Sequence, residues 1–129
     1  TVVVTGGPDE RTLTREVVAR AGLPPDADHG GRTDLAGLLD LVAGATLVLA
    51  GDTGISHVAT AFGTPSITLF GPVPATQWGP PPGGPHVVLG DDTARRGERF
   101  ADDPDPALLA VTPDDVLAAV GSLPGVVRA

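Results

Sequence analysis

The stretch Thr46-Leu-Val-Leu-Ala-Gly-Asp-Thr-Gly-Ile-Ser-His-Val-Ala-Thr-Ala-Phe-Gly-Thr-Pro-Ser-Ile-Thr-Leu-Phe-Gly-Pro72 reads as strand, tight turn, short helix, strand. Thr46 to Ala50 is an apolar run with β-formers, the kind buried on both faces of a parallel sheet. It breaks at Gly51-Asp52-Thr53-Gly54, where two glycines let the chain turn without a Cβ clash. Asp52 and Thr53 are both good helix caps, so a helix is expected from about Gly54. Ile55, Val58, Ala59 and Phe62 follow the i, i+3, i+4, i+7 spacing, and Gly63-Thr64-Pro65 ends the helix before a second strand, Ser66 to Phe70. The two strands should lie parallel.

Such a turn leaves the N–H groups of Thr53, Gly54 and Ile55 without intrahelical acceptors, which makes an anion site at the carboxyl end of a strand. His57 lies in the first helical turn, where a neutral imidazole can donate one more hydrogen bond to a phosphate oxygen. Phosphate is therefore the first ligand to expect. The plainer readings are a helix-packed ring for His57 and a structural cap for Asp52.

Working outward, Thr1 to Thr5 is a buried strand running into Gly6-Gly7-Pro8-Asp9-Glu10, a second turn of the same kind. A helix follows to about Ala21 with the stripe Leu13, Val17, Val18, Ala21, stopped by Gly22 and Pro24-Pro25. Asp9 and Glu10 thus fall at the carboxyl end of a strand, the edge along which open parallel sheets bind ligands. Glu10 is otherwise an ordinary first-turn helix acid. At most a short strand is expected around Ala27 to His29. Beyond the Gly30-Gly31-Arg32-Thr33 turn, Thr33 or Asp34 caps a helix with the stripe Leu35, Leu38, Leu39, Val42, ending at Gly44.

On the other side, residues 71–85 form a stiff Pro/Gly surface loop without regular structure, anchored by Trp78. His86 to Leu89 is a last strand. Residues 90–106 read as a loosely held acidic loop with Arg95, Arg96 and Arg99 on a solvated face. Thr112-Pro113-Asp114-Asp115 starts a helix that runs to about Ser122. The pattern β-α-(β)-α-β-α-β defines an α/β class, a Rossmann-like parallel sheet with helices on both faces.

The 129 residues suit a single domain. All 8 basic residues are arginine against 16 acids, and a net charge of −8 argues against a nucleic-acid partner. An anionic ligand must then be held by local dipoles and a few placed side chains. There is no cysteine, so no disulfide framework or cysteine-type zinc site, and a cytoplasmic home is allowed. No apolar run approaches the ~20 residues of a membrane span. His29 and His86 have no partner at metal-ligand spacing; no metal and no cofactor is expected. The chain lacks Met and opens on an apolar strand, which suggests a fragment.

Asp52-Thr-Gly-Ile-Ser-His57, then Ala59, Ala61, Gly63, Pro65, Leu69-Phe-Gly-Pro72 and Trp78-Gly-Pro80, resembles the C-terminal half of glycosyltransferase family 9, the ADP-heptose:lipopolysaccharide heptosyltransferases and their relatives. The Gly6-Gly7-x-x-Glu10 turn, the Gly-x-Thr33-x-Leu35 helix start and the Thr112 to Val116 helix start fit the same pattern in order, so the likeness covers nearly the whole chain.

The resemblance implies the donor-binding C-terminal lobe of a GT-B fold, and a parent enzyme that transfers a heptose or related sugar from ADP-heptose to a lipopolysaccharide-type glycan with inversion. It implies that Glu10 holds the ribose hydroxyls, that Thr33 and Leu35 flank the base, that Thr53, Gly54, Ile55 and His57 hold the diphosphate, and that Asp52 approaches the sugar. Because a carboxylate repels a diphosphate, Asp52 is read as a cap or a sugar-hydroxyl contact. The catalytic base and the acceptor contacts belong to an N-terminal lobe, so no catalytic residue is assigned in these residues and the chain alone is expected to be inactive. Peripheral membrane association of the parent, and self-association through an exposed inter-lobe face, also follow as expectations. Competing readings are a nucleotide-binding module without chemistry and a UDP-sugar relative such as an epimerase.

Overall fold

The protein is described by a computed structural model over residues 1–126. Two compact units are distinguished, Thr1–Leu41 and the chain from Val42 onward.

In the first unit the expected strand Thr1 to Thr5 shrinks to one parallel bridge between Val4 and Asp28. Val4 N–H donates to Ala27 O at 2.8 Å, His29 N–H to Val4 O at 2.9 Å and Gly31 N–H to Gly6 O at 2.8 Å. The short pairing partner near Ala27 is thus present, but Val2 and Val3 remain exposed, because so short a partner offers no ladder along the rest of the segment. A 3-10 turn at Pro8–Glu10 leads into α1, Arg11–Arg20. The expected apolar stripe is corrected here: Leu13 and Val17 are exposed, and Thr14 and Val18 are the buried residues of α1. The stripe is rotated because the partner of α1 is the small 3-10 turn Pro25–Ala27, which covers a narrow face. Helix α2, Leu35–Gly44, starts in this unit, with the Asp34 carboxylate accepting from Gly37 N–H at 2.8 Å.

In the second unit β1 (Val48–Gly51), β2 (Ser66–Leu69) and β3 (His86–Leu89) form a parallel sheet in that order. Val48, Ser66 and His86 stand in register at one end, and Gly51, Leu69 and Leu89 at the other. Helix α3, Gly54–Phe62, joins β1 to β2 and covers one face, where Val48 packs with Val42 and Ala59. Helix α6, Pro113–Ser122, covers the other, where Ile67 packs with Ala119 and Leu123. The alternation of side chains along a strand sends Val48 and Ile67 to opposite faces. The expectation of parallel strands with helices on both faces is met within this unit.

The proline-rich loop departs from its expected lack of regular structure. Ala75–Trp78 form a one-turn helix, α4, closed by Gly79 N–H on Ala75 O at 2.7 Å. Proline only forbids a helix where its missing N–H or ring is in the way, and Pro74 precedes the turn at the N-cap. The acidic loop is likewise held more firmly than expected. Asp105, 3 % exposed, caps α5 (Pro106–Leu109) through Ala107 N–H and also accepts from the N–H groups of Arg96 and Gly97.

Candidate functional site at the sheet edge

The carboxyl ends of β1 and β2 carry the features singled out in the sequence. β1 ends at Gly51, the chain bends through Asp52 and Thr53, and α3 starts at Gly54. Thr53 is the N-cap, in an extended conformation, and its side chain makes no capping bond. Among the described residues nothing accepts from the N–H groups of Thr53, Gly54 or Ile55. These N–H groups have no intrahelical acceptor, and no side chain among the described residues takes its place. Gly54 and Thr53 are exposed, so the positive end of α3 faces solvent.

Asp52 departs from the capping role. Its carboxylate lies instead 3.8 Å from His57 Nε2. It sits one residue before the N-cap, a position from which the geometry favours reaching forward along the first turn, and the ring at His57 is what it meets. The His57 side chain is 51 % exposed, so the packed-ring reading does not hold. Behind this front, Ser56 is buried and its hydroxyl donates to Thr53 O at 2.7 Å, fixing the turn.

Trp78 also departs from expectation. It is 55 % exposed and does not anchor the loop in a core. Its ring meets that of His57 edge to face, with centroids 6.5 Å apart and an interplanar angle of 68°. The loop is held from the far side by Arg95, whose guanidinium donates to Val73 O at 3.0 Å and pairs with Asp92. Arg95 is therefore no member of a solvated face: its side chain is only 11 % exposed. Neither role had a local signal, since each depends on loops that are distant in the chain.

In the first unit, Glu10 turns back on its own turn, one carboxylate oxygen accepting from Gly7 N–H at 2.7 Å. The other oxygen has no partner among the described residues. Thr33 lines an open cavity of about 410 Å³ with His29, Arg32, Asp34, Gly37 and Leu41. Leu35 is exposed on α2 and is not part of its wall. Sequence reasoning passed over His29 and Arg32; the Gly30-Gly31 turn beside them was the available signal.

The ionisable groups with shifted behaviour lie elsewhere. The Gly30 N–H and the Thr14 hydroxyl hold the Asp28 carboxyl below its ordinary value against the effect of burial, with Arg32 and Arg15 helping. At Asp105 burial pushes the carboxyl up, but the N–H groups of Ala107, Gly97 and Arg96 and the Arg96 charge together bring it below the ordinary value. Burial lowers His86, whose Nδ1 is 2.9 Å from Ser66 Oγ at the amino ends of β3 and β2. Among the described residues no group of three or more His, Cys, Asp or Glu can hold a metal ion, and no helix is long and apolar enough to cross a membrane.

A parallel sheet covered by helices, with an open, uncapped helix start and an exposed histidine at its carboxyl edge, defines an α/β protein of the open-sheet class. Residues 1–95 match the family model for glycosyltransferase family 9 (heptosyltransferase), and the chain belongs to that family. It is 41 % identical over 85 residues to the lipooligosaccharide heptosyltransferase 2 of Haemophilus influenzae, covering 62 % of this chain and 24 % of that protein. It is 31 % identical over 125 residues to the lipopolysaccharide heptosyltransferase 3 of Escherichia coli, covering 95 % and 37 %. In fold it resembles the E. coli ADP-heptose lps heptosyltransferase II, with a TM-score of 0.72 at 22 % identity over 95 % of this chain and 35 % of that one. The family 9 glycosyl transferase from Veillonella parvula gives a TM-score of 0.71 at 20 % identity, covering 93 % and 35 %. The chain thus spans only about a quarter to two fifths of the length of these relatives.

Proposed function

We propose that these residues form the nucleotide-sugar-binding lobe of a GT-B glycosyltransferase that moves a heptose or related sugar from ADP-heptose to a lipopolysaccharide-type acceptor with inversion. The observation that carries this reading is the open start of α3, with His57 in its first turn, in a chain of family 9. The N–H groups of Thr53, Gly54 and Ile55 and the His57 ring take the diphosphate. As the bond from the anomeric carbon to the diphosphate breaks, charge grows on the leaving oxygen, and donors fixed before the reaction stabilise it without reorganising. Glu10, oriented by Gly7 N–H, accepts from the ribose hydroxyls with its remaining carboxylate capacity. Thr33 and its cavity take the base, with Leu35 beside it. Asp52 accepts from a sugar hydroxyl and steadies His57.

The base that deprotonates the acceptor hydroxyl is assigned to a second lobe of the parent protein, as are the acceptor contacts. These residues alone are then a binder without turnover, and the parent works in the cytoplasm. Calorimetric titration with ADP, UDP and GDP tests the reading. ADP is expected to bind best, near millimolar or about 4 kcal/mol, since no second lobe closes over it. Preference for UDP, or no binding of any nucleotide, would overturn the claim.

A further inference from the structure

We propose that Trp78 is the platform for the glycosyl ring of the nucleotide sugar, which makes it a specificity residue. The proposal rests on the donor-binding reading above. A large aromatic side chain left 55 % exposed, on a short helix that follows the carboxyl end of β2, is otherwise unexplained by packing. It stands beside the one ring that the diphosphate reading needs: Trp78 and His57 are in edge-to-face contact. The two come from the loops after adjacent parallel strands, the place where ligands bind in open α/β sheets.

Its surroundings fit a sugar ring better than a flat base. A pyranose offers an apolar C–H face to an aromatic plate and hydroxyls around its rim. His57, which touches Trp78, also has the Asp52 carboxylate 3.8 Å from its Nε2, so apolar plate, donor and acceptor follow one another along the edge. The backbone turn that carries the plate is fixed. Gly79 N–H and Gln77 N–H close the turn that carries it, at 2.7 and 3.0 Å, and Arg95 fastens the preceding segment at Val73 O. A turn closed by its own hydrogen bonds presents the ring at a lower backbone ordering cost than an open loop would.

Trp78 is the sole tryptophan of the chain, so its fluorescence reports directly on what covers it. The test titrates the whole chain with ADP and with ADP-heptose, by calorimetry and by fluorescence, for the native protein, Trp78→Ala, Trp78→Phe and His57→Ala. ADP-heptose is expected to bind about tenfold tighter than ADP and to perturb the fluorescence more. Trp78→Ala should remove that surplus while leaving ADP within about twofold, and Trp78→Phe should keep most of it, whereas His57→Ala weakens both ligands. Equal affinity of the native protein for the two ligands, or a Trp78→Ala effect that is the same on both or nil on both, overturns the platform and leaves the donor reading standing. Failure of the native protein to bind either ligand overturns the donor reading and the platform with it.

Discussion

The two glycine turns of this chain share one local grammar and end in different states. At Gly6-Gly7, the first turn closes on itself: Glu10 reaches back to Gly7 N–H, and the helix that follows begins with a 3-10 segment. At Gly51 to Gly54 no side chain reaches back to the N–H groups of Thr53, Gly54 or Ile55. Thr53 makes no cap bond, the N–H groups stay open, and the neighbouring Asp52 carboxylate leans toward His57. A helix start that meets its own needs gains stability, and one that does not is free for a ligand. The lesson is that a cap residue in the sequence is a capacity, and the partner it finds decides whether the turn is structural or receptive.

The comparison breaks most visibly if the frame behind a turn is removed. A Cβ at Gly90 would collide with the carbonyl oxygen of Phe70, a backbone atom that cannot rotate away. Gly90→Ala is therefore expected to cost about 3 kcal/mol in urea unfolding. Gly30→Ala, which meets the movable but buried Thr14 side chain, should cost about 2 kcal/mol. If Gly90→Ala unfolds at the native midpoint, the sheet edge is less tightly framed than described.

Next in size is the ligand contrast. His57→Ala should weaken ADP and pyrophosphate alike by about tenfold, or 1.4 kcal/mol, with the fold intact because the ring is half exposed. Glu10→Gln should weaken ADP by a few-fold, about 1 kcal/mol, and leave pyrophosphate unchanged. A pyrophosphate loss in Glu10→Gln would erase the distinction between the closed turn and the open one.

A finer test compares helix starts. On α6, Thr112 Oγ1 accepts from Asp115 N–H while the Asp115 carboxylate accepts from Thr112 N–H, a complete capping box. Thr112→Ala should lower stability by about 1 kcal/mol, whereas Thr53→Ala, with no cap bond to lose, should cost no more than a few tenths. Equal costs would mean that Thr53 caps α3 in solution.

The smallest effect is on pH dependence. Asp28 and Asp105 ionise at lower pH in the folded chain than in the unfolded one, so the unfolded chain binds more protons as acid is added. Their contribution is full above the ordinary value of 3.8 and is lost as the pH falls through the folded values. Asp28→Asn should make the acid limb of a stability-versus-pH curve shallower, and an unchanged limb would remove Asp28 from that account.

The amino-acid sequence by itself determined the apolar strand runs, the helical spacing of α3, the parallel β1-α3-β2 unit and the glycine turn that leads to His57. These rest on neighbours within a few positions, where backbone sterics and hydrophobic spacing act. The resemblance to family 9 was legible for the same reason, because its motifs are short and local. Only the tertiary structure decided that Val2 and Val3 stay exposed, that Asp52 turns to His57, that Arg95 clamps the proline loop and that Trp78 stands at the edge of the His57 ring. In the last two of these the partners are more than twenty positions apart. Side-chain destinations of that kind depend on which loops the sheet brings to one edge, and no local pattern in the chain encodes that.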